Sequence, residues 1–100
     1  MFKLLYVYMV RCADDSYYVG VTNDINRRLG EHNEGVNKRA YTFLRRPVKL
    51  VYWQEFTDYN QAMGWETQLK KWGRKKKEAL IDKDWDKIKE LAISYSKRIK

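Results

Sequence analysis

Cysteine, proline and histidine each occur once in this chain of 100 residues, and no apolar run approaches the length of a membrane span. A lone thiol, Cys12, cannot form an intrachain disulfide, which excludes the disulfide-stapled class of small domains and suits a reducing compartment. Runs such as Leu4 to Val10 fall far short of the roughly 20 apolar residues that a spanning helix needs. The first residues lack the basic start and small-residue cleavage site of a secretory signal, so a cytoplasmic, soluble protein is expected with no membrane partner. No Gly/Ser-rich or Pro-rich linker and no internal repeat divides the chain, and nothing resembles a zinc finger or another sequence-reading module.

What is present is apolar and basic. Hydrophobic residues make up 44% and aromatics 15%, enough to build a core without a staple, so disorder is excluded. The formal charge is +8 with a pI near 9.6, which favours a polyanionic partner, either nucleic acid or an acidic surface. At this length one domain is expected over 1–100, with a core over about 3–81 and a helical extension over about 82–100.

Along the chain, Lys3 to Arg11 carries apolar residues on both alternating sets, the pattern of a central strand covered on both faces. Ala13-Asp14-Asp15 has turn chemistry and Tyr17 to Thr22 resumes the β pattern, giving a hairpin. If Cys12 pairs with Ser16 around a three-residue loop, with Asp15 left-handed, then Tyr8 lies opposite Gly20 and Val10 opposite Tyr18. Tyr8 and Tyr18 then share a face; an even loop length would separate them. Thr22, Asn23 and Asp24 are N-cap candidates for a helix from about Asp24 to about Asn33, ending near Gly35. At roughly 100° per residue, Ile25, Leu29, His32 and Val36 form one stripe, Arg28 borders it and Arg27 points away.

Glu34 to Pro47 shows no period and reads mostly as loop. Val48 to Phe56 is expected as the third strand. Asp58 and Gln61 resemble a capping pair opening a helix to about Trp72. In that helix Ala62, Trp65, Leu69 and Trp72 form the apolar stripe, with Glu66 about 40° from Ala62 and partly buried. A short helix over RKKKEALI and a final helix capped by Asp82 follow, and the tryptophans at helical apolar positions, Trp65, Trp72 and Trp85, are expected to pack. The class is α+β: a small, three-stranded, mainly antiparallel sheet flanked by helices in a single domain.

These residues resemble the GIY-YIG nuclease superfamily, most closely its small stand-alone bacterial members. Tyr6-Val7-Tyr8 stands where the family has Gly-Ile-Tyr, and Tyr18-Val19-Gly20 where it has Tyr-Ile-Gly. The family's arginine, eight residues after the motif glycine, and its His or Tyr, twelve after, select Arg28 and His32. Its metal-binding glutamate, in a pattern like Ala-x-x-x-Glu, selects Glu66 after Ala62. Val21 follows Gly20 where some relatives carry a catalytic lysine.

The resemblance implies a Mg²⁺-dependent endonuclease, with Mn²⁺ as a substitute, hydrolysing phosphodiesters in DNA or RNA, DNA foremost, with a structure- or end-directed rather than sequence-specific choice of target. Its catalytic set would be Tyr8, Tyr18, Arg28, His32 and Glu66. Glu66 would hold the metal and Arg28 the phosphate. Tyr8 would accept a proton from water, and Tyr18 would orient water or phosphate. His32 would either move a proton or hold a phosphate oxygen, and Gly20 would leave room for substrate opposite Tyr8. Phosphate contacts are expected from Lys70, Lys71, Arg74, Lys75, Lys76 and Lys77, and from Lys38, Arg39, Arg45 and Arg46, with Tyr41 or Phe43 stacking on an unpaired base. The different-class alternative is a nucleic-acid-binding protein whose chemistry has weakened, favoured by Val21. A weaker third is a partner-dependent adaptor, for which exposed tryptophans would be the sign. A homodimer or protein partner is left open.

Overall fold

The structure is a computed structural model that describes residues 4–91. Three antiparallel strands, β1 (Leu5–Arg11), β2 (Tyr17–Thr22) and β3 (Lys49–Phe56), form one sheet in the order β2-β1-β3, with β1 central as its two-sided apolar pattern requires. The first hairpin has the expected odd loop. Cys12 N donates to Ser16 O at 2.8 Å, Asp15 N donates to Cys12 O at 2.9 Å, and Asp15 is left-handed with φ 67°. Its register pairs Tyr8 with Gly20 and Val10 with Tyr18. Between β1 and β3 the register slips beside Met9, so that Tyr8 faces Trp53 while Val10 faces Leu50.

On one sheet face, Tyr8, Val10, Cys12 and Val48 form a buried cluster against which Tyr18, Leu29 and Leu50 pack. The opposite alternating set, Val7, Met9 and Val19, is buried as well.

Helix α1 (Ile25–Glu34) starts where Asp24 accepts a hydrogen bond from Arg27 N and ends at Gly35, left-handed with φ 71°. A side chain at Gly35 would collide with Arg46 and Phe43, so the stop is steric as well as conformational. Val36 lies past this stop and is exposed, which removes it from the expected stripe.

The segment from Val36 to Val48 is irregular apart from a 3-10 turn at Phe43–Arg45, yet it is tightly tethered. Asn33 holds Val48 with two hydrogen bonds, donating from Nδ2 to Val48 O at 3.1 Å and accepting at Oδ1 from Val48 N at 2.7 Å. Arg45 Nε meets Asp14 Oδ2 at 3.0 Å, and Arg45 O accepts from Ala13 N at 2.8 Å. The loop is thereby fastened to both the helix end and the hairpin turn.

Helix α2 (Tyr59–Lys71) begins with Asp58 accepting from Gln61 N at 2.9 Å, and buries Ala62 and Leu69. Trp65 Nε1 donates to the hydroxyl of Tyr52 at 3.1 Å.

The chain divides into two compact units, one up to Lys70 and one from Lys71 onward. The second contains α3 (Arg74–Ile81), with Ala79 and Leu80 buried, and a helical run over 85–91. Two expectations are corrected there. Asp82 sits at the end of α3, while the run after it is capped by Asp84, whose Oδ1 accepts from Lys87 N at 3.1 Å. Trp85 is 59% exposed rather than packed. The expected extension beyond Leu91 lies outside the described residues.

Candidate active site

The hairpin register and the phase of α1 bring four aromatic or imidazole rings together. Tyr8 and Tyr18 have ring centroids 6.4 Å apart, and His32 lies 6.0 Å from Tyr8 and 5.4 Å from Tyr18. Tyr41, from the tethered loop, stacks on Tyr18 at 6.2 Å with an interplanar angle of 18°.

Gly20 has a role different from the one expected. A Cβ built at residue 20 would lie 2.6 Å from the Tyr8 hydroxyl and 2.8 Å from its ring carbon Cζ. The space over Gly20 is thus filled by the phenol of Tyr8 itself. The glycine admits the catalytic candidate rather than the substrate.

His32 is held at both nitrogens. Nε2 is 2.8 Å from the Tyr8 hydroxyl and Nδ1 is 2.9 Å from Oγ1 of Thr42, whose side chain is buried in the loop. The imidazole is pushed below its ordinary pKa, first by burial and then by the charge of Arg28, with Glu31 opposing. It is therefore neutral at pH 7, with one donor and one acceptor nitrogen.

Tyr8 is pushed up to about 12, chiefly by burial and by Tyr18, with Glu66 adding to the rise and the charge and hydrogen bond of Arg28 opposing it. Since the phenol oxygen accepts from Arg28, its own proton is free to go to His32 Nε2. With the Tyr8 hydroxyl donating to Nε2, the imidazole is the Nδ1–H tautomer and donates to Thr42 Oγ1; with Nε2 donating, Thr42 donates to Nδ1.

The helical phase separates the two arginines as expected. Arg27 bonds Asn23 Oδ1 at 2.9 Å on the exposed side. Arg28 reaches Tyr8 and also pairs with Glu31 at 3.1 Å. Glu66 arrives from α2 with its side chain only 14% exposed, and Lys70 Nζ sits 3.3 Å from its Oε2.

Five of the residues singled out in the sequence therefore converge: Tyr8, Tyr18, Arg28 and His32 by direct contact, and Glu66 by its charge on Tyr8. Among the described residues no group of three or more His, Cys, Asp or Glu side chains gathers to chelate a metal, and Glu66 stands in the site as a single carboxylate. A single largely buried carboxylate suits Mg²⁺, which keeps most of its waters and binds through one or two carboxylates together with phosphate oxygens. The ammonium of Lys70 on that carboxylate is itself a cation in the position.

The basic residues divide into committed and open ones. Arg45 is bound to Asp14 and lies 3.8 Å from the ring centroid of Tyr41. Arg46 lies 4.3 Å from that of Phe43 and donates to Phe43 O at 2.7 Å. These two arginines brace the loop, and Tyr41 and Phe43 meet protein partners there, with Tyr41 still 43% exposed. Lys38 and Arg39 are exposed. In the second unit, Lys71 and Lys75 are exposed, Arg74 pairs with Glu78 at 3.3 Å, Lys76 lies over Trp72 at 4.3 Å, and Lys77 is half-buried, with its pKa lowered by that burial.

Sequence reasoning missed Thr42 and Asn33. Neither carried a signal, because Thr42 sits in an aperiodic segment and Asn33 looked like an ordinary helix-end residue.

A family model described as the GIY-YIG catalytic domain matches residues 4–79. The chain is 46% identical to a UPF0213 protein of Bacillus pumilus over 77 residues, covering 77% of this chain and 78% of the relative. It is 43% identical to the UPF0213 protein YazA of Bacillus subtilis, covering 77% of each. Among solved structures, the solution NMR structure of the UPF0213 protein BH0048 from Bacillus halodurans superposes with a TM-score of 0.54 at 40% identity, covering 81% of this chain and 85% of that one. The solution structure of EF2693 from E. faecalis gives a TM-score of 0.58 at 38% identity, covering 83% and 90%. Among the described residues no helix is long and apolar enough to cross a membrane.

Proposed function

This chain belongs to the GIY-YIG catalytic-domain family, and from that premise we propose that it is an endonuclease that hydrolyses phosphodiester bonds in nucleic acid, DNA foremost. The observation that carries the proposal is the phenol of Tyr8, on which His32, Arg28 and Glu66 all act.

Phosphodiester hydrolysis needs a deprotonated water, neutralisation of the negative charge that grows on the phosphate oxygens, and a proton for the departing oxygen. A phenol pushed up to about 12 is a poor standing base at neutral pH, so Tyr8 works as a relay. As water oxygen bonds to phosphorus, its proton passes to Tyr8 Oη while the Tyr8 proton passes to His32 Nε2. The resulting imidazolium keeps its Nδ1–H on Thr42, and its charge is returned when solvent carries that proton to the oxygen released from phosphorus. Arg28 holds the non-bridging oxygens with its planar fork and stabilises their growing charge. Tyr18, edge-on to His32, keeps the imidazole in line. Glu66 would hold a divalent cation, which supplies Lewis-acid polarisation of the phosphate when bound.

A second reading is a binding protein on the same fold with weakened chemistry. It is supported by the Lys70–Glu66 pair, which competes with a metal, and by Val21 in place of a lysine. One experiment separates the two. The pure protein is incubated with single-stranded, duplex and branched DNA in Mg²⁺, Mn²⁺ or EDTA, alongside Arg28→Ala and Glu66→Ala. Cleavage by the wild type that needs the cation and drops by about 100-fold or more in both variants, with binding retained, supports hydrolysis. Equal or absent cleavage in all three, with binding intact, overturns it in favour of the second reading.

A further inference from the structure

An open pocket of about 470 Å³ lies beside the proposed catalytic residues and is used by none of them. Its walls are aromatic and apolar: Tyr6 and Trp53, with Leu50 and Ile25. Its rim is polar, formed by Asn23, Asp24 and Asn26 where β2 turns into α1. Tyr6 packs against the indole of Trp53 with centroids 6.0 Å apart at 70°, which fixes the ring, yet Trp53 remains 53% exposed. A braced aromatic with this much free surface, on an edge strand of a strongly basic protein, is out of keeping with simple core packing.

The position of the pocket follows from the register. Trp53 is the cross-strand partner of Tyr8, so the two side chains leave the sheet on the same face, and Tyr6 precedes Tyr8 by two residues, or about 6.7 Å along the strand. Ile25 precedes Arg28 by one helical turn. A strand whose phosphate lies between Arg28 and Tyr8 therefore has its neighbouring nucleotide over the pocket.

The rim chemistry identifies which part of that nucleotide enters. Asp24 caps α1 by accepting from Arg27 N, so the first-turn amide is satisfied and the carboxylate repels a phosphate. Asn23 accepts at Oδ1 from Arg27 at 2.9 Å, which leaves its NH₂ as a donor. Carboxylate, carboxamide and a free indole face together match the edge and π-face of a base. The volume lies within the range of small-molecule pockets and has room for one base.

We propose that this pocket is a subsite for one unpaired nucleobase next to the scissile phosphate, with Trp53 as its stacking platform and the rim residues Asn23, Asp24 and Asn26 reading its edge. The inference rests on the nuclease reading for the identity of its ligand, and deepens it. A base can enter only when it is out of a duplex, so the subsite selects single-stranded, frayed or branched substrates.

The test measures binding in EDTA, by fluorescence anisotropy, to a short single-stranded DNA and to the same backbone carrying abasic sites. Trp53→Ala is expected to weaken binding to the base-bearing strand about tenfold and to leave the abasic strand unchanged, while Trp53→Phe restores most of the loss. Asn26→Ala, at an exposed position, is expected to change the ranking of adenine, cytosine and thymine homopolymers without affecting the abasic strand. Equal loss on both strands, or no loss on either, in Trp53→Ala overturns the subsite, as does an unchanged ranking in Asn26→Ala. Cleavage in Mg²⁺ is read separately. Wild-type cleavage with no base discrimination sinks the subsite alone; base discrimination with no cleavage sinks the nuclease reading alone.

Discussion

The hydroxyl of Tyr8 occupies the place that a Cβ on Gly20 would take, at a separation of 2.6 Å. Side chains on paired strands ordinarily stand beside one another, but here one folds over the bare backbone of its partner to reach His32.

Gly20→Ala is therefore expected to damage the site more than the fold. The added methyl must push the phenol aside, breaking the bond to His32, at an overpacking cost of about 1–3 kcal/mol. Cleavage should fall by about 100-fold or more, while thermal unfolding still reports one cooperative transition. An alanine variant that cleaves like the wild type would show that Tyr8 need not lie there.

Thr42 should behave as a positioning residue. Thr42→Val keeps the shape but removes the partner of His32 Nδ1, and leaving a buried polar group unsatisfied costs about 1–3 kcal/mol. The expected signature is a changed pH–rate profile with substrate binding unaltered, because the tautomer of His32 is no longer fixed. Thr42→Ser, which keeps the hydroxyl, should restore the profile; a serine variant as impaired as the valine one would contradict this.

The pH dependence of stability has a definite sign at His32. Its pKa is lower folded than unfolded, so between the folded value and the ordinary 6.5 the unfolded chain binds more protons. This contribution is fully present above the unfolded value and is lost as pH falls through 6.5 toward the folded one. Melting temperatures measured from pH 7.5 down to pH 5 should fall less steeply in His32→Asn than in the wild type; parallel curves would remove His32 from the account.

Lys70 is expected to compete with a divalent cation for Glu66. Lys70→Ala should lower the Mg²⁺ concentration at half-maximal cleavage. It should change stability by no more than about 0.5 kcal/mol, because the lysine side chain is 53% exposed and the pair is an ordinary i,i+4 contact. A raised half-maximal concentration would mean that Lys70 helps the site instead of blocking it.

The features legible in the sequence were those set by short-range rules. The odd hairpin loop with Asp15 left-handed, the caps at Asp24, Gly35 and Asp58, and the choice of Arg28 over Arg27 all follow from periodicity and turn chemistry within about a dozen residues. The illegible features depend on contacts between distant segments. The intramolecular partners of Arg45 and Arg46 were not legible, because charge does not reveal its partner. Only the folded chain puts Asp14, Tyr41 and Phe43 beneath them. Thr42 belongs to a stretch with no period, held in place from outside, so nothing local could mark it. The hairpin register placed Gly20 opposite Tyr8, but what fills the space over it requires knowing where the Tyr8 ring lies.

The paired hydrogen bonds between Asn33 and Val48 close the chain between them into a ring. The ring supplies Thr42 and Tyr41 to the tyrosine–histidine pair and is tied through Arg45 to the turn between β1 and β2. The partner of His32 Nδ1 is therefore chosen by a segment that belongs to neither the sheet nor α1, so a change of residue at position 42 reaches the imidazole without altering a strand or a helix.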